Sequence, residues 1–182
     1  GAPPPAPPIL QNDGRALAEA EDLTRRFAAI GSIAGVPAMP GFAAPKLMWL
    51  ARHQPEGMAR AKLMLLPKDY VRHCMTGSYA TDMCDGSGAL LLDSGRRAWS
   101  PEIAGACGIP LGLLPAALEG NAISGQLKGQ VAAAWGLAPG LIVATGAGDA
   151  AAGAVAPGAV NEGDAFTFLG TATQYFVARA SF

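Results

Sequence analysis

No stretch of the sequence is basic enough to grip a phosphate backbone. Its thirteen Lys and Arg are scattered along 182 residues, and the net charge is −1. A nucleic acid is not expected as a partner, because such contacts need clustered cations. No apolar run approaches the ~20 residues that span a bilayer. The N-terminus has neither the charged start nor the apolar core of a secretion signal, so no membrane association is expected. Cysteine and histidine are scarce. Cys74, Cys84 and Cys107, with His53 and His73, show neither metal-ligand spacing nor an even-numbered disulfide framework. No metal site is expected, and a reducing cytoplasm fits. Charged residues make up only 15% and aromatics only 7%, whereas 51% of the chain is hydrophobic. That is enough for a sizeable core in one domain, or in one domain with part of another.

The first eight residues, GAPPPAPP, contain five prolines and read as a linker or a trimmed end. Asn12-Asp13-Gly14-Arg15 is a turn signal. Residues 16–30 read as one helix, with Leu17, Leu23, Phe27 and Ile30 on a stripe and acids ahead of bases. Gly31 is the expected stop. Pro45 fits the first turn of a helix running to about residue 53, and Pro55 starts another. Leu63-Met64-Leu65-Leu66 and Leu90-Leu91-Leu92 read as strands. Residues 68–75 read as a helix stopped by Gly77. Ser100 and Pro101 open a helix that Gly108 closes. Residues 123–125 read as a strand and 126–135 as a helix.

The chemistry is expected in residues 141–153, LIVATGAGDAAAG. An apolar run long enough for a buried strand meets Gly146, Gly148 and Asp149, and a small-residue run then begins a helix. Asp149 can cap that helix, or it can face a cleft where its glycine neighbours let a ligand approach. Gly146, Gly148 and Ala151 also fit the dinucleotide pattern G-x-G-x-x-A. That pattern wants an acid about 20 residues on, at a strand end, whereas Glu162 and Asp164 precede a strand. Asp82 and Asp85 lie three apart, so they would share a face of a helical turn. Paired acids can serve a cation or acid–base work; they also cap turns. Residues 165–169 and 174–177 read as a hairpin whose Gly170-Thr171 turn is either an ordinary turn or a nest for phosphate.

Taken together, several segments resemble the FGGY family of carbohydrate kinases, and its xylulokinases above all. They are Ile9-Leu10-Gln11-Asn12-Asp13-Gly14-Arg15; Met39-Pro40-Gly41-Phe42-Ala43-Ala44-Pro45-Lys46; Leu65-Leu66-Pro67-Lys68-Asp69-Tyr70; Thr81-Asp82-Met83-Cys84-Asp85-Gly86-Ser87-Gly88; and residues 146–154 followed by 164–171. The likeness covers almost the whole chain.

The resemblance implies an α/β chain with the actin-like ATPase fold, built of ribonuclease H-like domains around a cleft. Residues 1–157 would be the latter part of the N-terminal, sugar-binding domain. Residues 158–182 would be the opening hairpin of the C-terminal, ATP-binding domain. The chain would then be an internal fragment, inactive by itself. The implied reaction is transfer of phosphate from ATP to a pentulose, D-xylulose before others, in the cytoplasm. ATP and Mg2+ would be the cofactors, and a homodimer is allowed. Asp149 matches the family's general base. Asp13, Gly41, Phe42, Asp82 and Ala150 match its sugar side, and Gly170 and Thr171 its second phosphate loop. No residue of the chain is assigned to a metal. The sequence departs from the family at Gln11, where Trp is usual, at Ala150, where xylulokinases have Asn, and at Ala172, where Ser is usual. Those departures keep open a non-catalytic or degenerate sugar-kinase-like binding module.

Overall fold

The expected helix over residues 16–30 is two helices, α1 (Leu17–Arg26) and α2 (Ile30–Ala34). Phe27 leaves the helical region at φ −135°, ψ 74°, although its N–H still reaches the Leu23 carbonyl. Gly31 lies inside α2, and the stop falls on Gly35, in the left-handed conformation. Leu17 drops off the expected stripe and is exposed, whereas Leu23 and Ile30 are buried. The computed structural model describes residues 7–169 and 173–180. The chain divides into two compact units, Gly1–Gly146 and Ala147–Phe182.

Prolines start and glycines stop several helices of the first unit, as the sequence predicts. Helix α3 (Ala43–His53) carries Pro45 in its first turn, and α4 (Pro55–Arg60) opens on proline. So does α5 (Pro67–Thr76), which ends at Gly77 with φ +88°. Strand β1 (Ala80–Asp82) leads into α6 (Met83–Gly88), and the hairpin of β2 (Leu92–Asp93) and β3 (Ala98–Trp99) follows. Helix α7 (Pro101–Cys107) is capped by Ser100, whose Oγ accepts the Ile103 N–H at 3.2 Å, and it closes on left-handed Gly108. A 3-10 turn (Leu111–Leu113) precedes β4 (Ala116–Leu118), which pairs parallel with β1, Ala80 opposite Ala116. Then come β5 (Ile123–Gln126), α8 (Gly129–Trp135) and β6 (Ile142–Ala144). Helix α8 begins later than expected because Gln126 pairs with Ile142 in the antiparallel β5–β6 ladder.

Two apolar runs are not the strands they resemble. Residues 63–66 form no ladder; the Met64 N–H donates to the Leu113 carbonyl at 2.7 Å and the Met64 side chain packs on the core. In the 90–92 run only Leu92 enters a strand. Leu90 is fully buried in the left-handed region, φ +62°, which is costly for a branched residue. It is held by burial among Leu23, Ile30, Leu47, Met48, Leu91 and Ile103. This core joins α1, α3 and α7. The 141–144 run does form a strand, but not a buried one: Ile142 is 63% exposed.

The second unit holds α9 (Asp149–Val155) and the antiparallel hairpin of β7 (Ala165–Leu169) and β8 (Thr173–Val177). Phe166 stands opposite Phe176, ring centroids 5.2 Å apart. Asp164 ties the approach to β7, its Oδ2 accepting the Asn161 N–H at 2.8 Å and the Val160 N–H at 3.2 Å. Those donors hold its carboxyl below the usual range.

Candidate functional site

Two loops far apart in sequence meet at a buried lysine. Helix α3 presents Lys46, only 8% exposed, and its Nζ donates to the carbonyls of Leu10 and Gly41, each at 2.7 Å, and more distantly to Gln11 at 3.5 Å. The Gln11 and Gly41 backbones come close enough that a Cβ on Gly41 would lie 2.9 Å from the Gln11 carbonyl oxygen. Glycine is needed there. Phe42 packs against the core beside it. The structure therefore brings Gly41 and Phe42 up to the segment that carries Asp13.

Asp13 is a turn residue and more. Its N–H donates to the Leu10 carbonyl at 3.1 Å. Its carboxylate takes both Arg15 Nε, at 2.9 and 3.0 Å, and Arg15 Nη2, at 2.7 Å. The guanidinium lies 4.9 Å over the Trp49 ring. Hydrogen bonds from Arg15 hold the Asp13 pKa down at about 2. Followed by its carboxyl-carbon NMR signal, Asp13 should titrate near pH 2, and Arg15→Ala should move the midpoint up toward the ordinary 3.8. The sign follows from the depression. Whatever this pair adds to stability is present above pH 3.8 and is lost as pH falls through about 2. An Asp13 midpoint untouched by Arg15→Ala would remove the pair as its cause. The pair is exposed, so its contribution is small.

A second cluster gathers the acids of β1 and α6 around α5. Asp82, 1% exposed, is the N-cap of α6: its Oδ1 accepts from the Cys84 and Asp85 N–H groups at 2.9 and 3.0 Å. Its Oδ2 lies 2.7 Å from Lys68 Nζ, close enough for an ion pair though outside hydrogen-bond geometry. Lys68 also reaches Asp69 Oδ1 at 2.8 Å and Asp85 Oδ2 at 3.4 Å. Burial works against the Lys68 charge, but Asp69 and Asp82 outweigh it and hold its pKa above the usual value. Burial, then the Asp82 charge, push Asp85 up. Capping thus accounts for one Asp82 oxygen and the lysine for the other. Among the described residues no group of three or more His, Cys, Asp or Glu is arranged to hold a metal ion.

Arg72 joins this cluster to the end of β6. It is 4% exposed, and its Nη2 donates to Asp69 Oδ1 at 3.1 Å and to the Ala80 carbonyl, while Nη1 donates to the Thr145 carbonyl. Thr145 is pinned from the other side by Ala122, whose carbonyl accepts its N–H at 2.9 Å and its Oγ1 at 3.0 Å. Gly146 follows at φ +95°, with the Lys68 chain against it.

In the second unit Asp149 is the first residue of α9, and Gly148 takes the cap position. Its side chain is exposed, and Oδ1 accepts the N–H of Ala150, also exposed, at 2.9 Å. Gly170 and Thr171 lie outside the described residues. The dinucleotide reading fails on topology. That fingerprint belongs to a parallel βαβ unit, whereas β6 pairs antiparallel with β5 and β7 antiparallel with β8.

Sequence reasoning assigned no role to Lys46, Lys68 or Arg72. A signal for the first was present: a lone cation inside the apolar stretch Pro45-Lys46-Leu47-Met48 must find oxygen partners or stay out of the core. For Arg72 the signal was Asp69 one turn earlier on the same helix.

The pattern described for the N-terminal domain of the FGGY family of carbohydrate kinases matches residues 4–156. The xylulose kinase of Klebsiella pneumoniae is 44% identical over 176 residues, covering 97% of this chain and 36% of that protein. The xylulose kinase of Escherichia coli strain K12 is 45% identical over the same shares of each. A crystal structure of a xyloylose kinase from Brucella ovis superposes with a TM-score of 0.91 at 43% identity, covering 96% of this chain and 36% of that one. The chain thus spans about 36% of the length of the curated relatives it matches. No helix among the described residues is long and apolar enough to cross a membrane. With mixed α/β elements and neighbours of the actin-like ATPase fold, the chain belongs to the FGGY family of carbohydrate kinases.

Proposed function

We propose that the chain serves an ATP-dependent sugar kinase that converts a pentulose, D-xylulose before others, to its 5-phosphate. The single observation that carries this is the 44% identity, over 97% of the chain, to a protein named xylulose kinase. Residues 1–157 are read as part of the sugar-binding domain and 158–182 as the start of the ATP-binding domain. Asp149 is the general base. It takes the proton from the sugar hydroxyl, the sugar oxygen bonds to the γ-phosphorus, and the β–γ bridging oxygen leaves with ADP. Such a transfer asks for alignment and charge neutralisation more than covalent help. Asp13, Gly41, Phe42, Asp82 and Ala150 are read as shaping the sugar side. Gly170 and Thr171 are read as contacts of the phosphate. Magnesium would arrive on the nucleotide and would neutralise phosphate charge. A cytoplasmic setting fits this substrate pair, and a homodimer is compatible with it.

Ala150 favours a second reading, a sugar-binding module without catalysis, because the xylulokinases it resembles have Asn after the base. Sugar-dependent ADP release decides between them. The complete product of the gene encoding this chain should be assayed with D-xylulose, L-xylulose, D-ribulose and glycerol. D-Xylulose is expected to give the highest kcat/KM. Absence of release with every sugar would move the chain to the binding reading.

A further inference from the structure

Lys46 is an unusual solution to a packing problem. A lysine is rarely buried without a carboxylate, yet Lys46 sits within the buried run of α3 and makes no ion pair among the described residues. Among the described residues its ammonium is satisfied by main-chain oxygens alone: Leu10 and Gly41 at 2.7 Å, with Gln11 at 3.5 Å. Burial pulls its pKa down, and the nearby Asp13 charge opposes that pull. The acceptors belong to two loops about thirty residues apart, and Nζ lies 36 residues in sequence from its Leu10 partner but only five from Gly41. One loop carries Asp13, fixed by Arg15. The other carries Gly41 and Phe42. Both loops lie against one another at the Gly41–Gln11 contact, where no side chain fits between them.

We infer that Lys46 is a positioning residue that staples the two sugar-side loops, setting how well the acceptor sugar is held rather than how fast phosphate moves. The inference rests on the sugar-side assignment proposed above. Removing the ammonium leaves the Leu10 and Gly41 carbonyls without their shared donor, so the loops part where they are joined and nowhere else. A displacement of that kind weakens contacts that the sugar keeps equally in the ground and transition states, without touching the base.

The test uses the complete gene product and its Lys46→Met variant. Steady-state kinetics should show the sugar KM raised about 10- to 100-fold, the worth of one or two lost sugar hydrogen bonds, with the ATP KM unchanged and kcat within about threefold. Hydrogen exchange should quicken at the Asp13 and Phe42 amides, which bond to Leu10 and Met39 in the native loops, and stay as before in α7. If Lys46→Met does not fold, Lys46→Gln replaces it, since its shorter amide still satisfies one carbonyl. An unmoved sugar KM, or equal losses in kcat and both KM values, overturns the inference. Unchanged exchange at both loops overturns the staple itself. Absence of sugar-dependent ADP release in the unsubstituted protein is a different failure: it removes the kinase reading and the positioning role with it, while quickened exchange would leave the staple as a feature of the fold.

Discussion

Asp149→Asn is expected to lower kcat for sugar-dependent ADP release by about 10²- to 10⁴-fold, the usual worth of a positioned general base. The substitution is chosen because it separates basicity from structure. Asp149 holds the first position of α9, and the one hydrogen bond its side chain makes among the described residues is accepted by Oδ1 from the Ala150 N–H at 2.9 Å. The asparagine amide keeps an oxygen at that place, so α9 should start as before. What asparagine lacks is a lone pair basic enough to receive a proton at neutral pH. On the proposed reading, the carboxylate's second oxygen is the one that meets the attacking hydroxyl. A sugar KM close to that of the parent, beside the fall in kcat, would mark a group that acts in the transition state and not in binding. A loss smaller than about threefold would refute Asp149 as base and return it to the role of a helix-start acid in favourable contact with the α9 dipole.

Local signals carried several helix boundaries of the first unit. Pro67 with Gly77 and Pro101 with Gly108 bracket α5 and α7 because proline's fixed φ and glycine's left-handed freedom act within a turn of the chain. Signals that depend on tertiary partners did not travel as well. Leu63-Met64-Leu65-Leu66 and Leu90-Leu91-Leu92 are apolar for the core's sake, and an apolar run says nothing about whether a strand lies beside it. Phe27 breaks the first helix so that Ile30 can reach the same core as Leu23. The site divides the same way. Residue type and spacing singled out Asp149 and the Asp82–Asp85 pair as candidate acids, whereas Asp13 read as a turn residue and joined the site only through the family resemblance. Two buried cations were missed because their carbonyl partners are remote: Lys46 reaches back 36 residues to Leu10, at the start of the Asp13 turn, and Arg72 reaches forward 73 to Thr145. Asp82 shows how two readings can both hold. The cap explains Oδ1 and the lysine explains Oδ2, so its burial is consistent with an anchored turn as well as with a shaped site.

Arg72→Met should be the most destabilising single change in the first unit, at about 3–5 kcal/mol, the range found when one partner of a buried ion pair is removed. Arg72 does three jobs at once. It neutralises Asp69, which has no exposure at all, and it fills the hydrogen-bonding needs of the Ala80 and Thr145 carbonyls. Methionine matches much of its length and none of its donors. Asp69 would keep Lys68 at 2.8 Å, but that ammonium is already shared with Asp82 and Asp85, and one cation would then face three carboxylates. The two carbonyls would be stranded where water does not reach. The urea midpoint of the complete gene product is the measurement, with the slope unchanged if the folded and unfolded states keep their compactness. Arg72→Lys should recover only part of the loss, because a single ammonium cannot serve three oxygens spread around the edge of the planar guanidinium. Asp69→Leu combined with Arg72→Met should be less destabilising than Arg72→Met alone, since removing the stranded carboxylate removes most of the penalty and leaves Lys68 to its remaining acids. A double variant no more stable than the single one would show that the carbonyl contacts, and not the charge of Asp69, are what Arg72 is there to satisfy. The strand end at Thr145 would then be the point the network protects, and Ala80–Asp82 and the β5–β6 ladder should show the first loss of hydrogen-exchange protection.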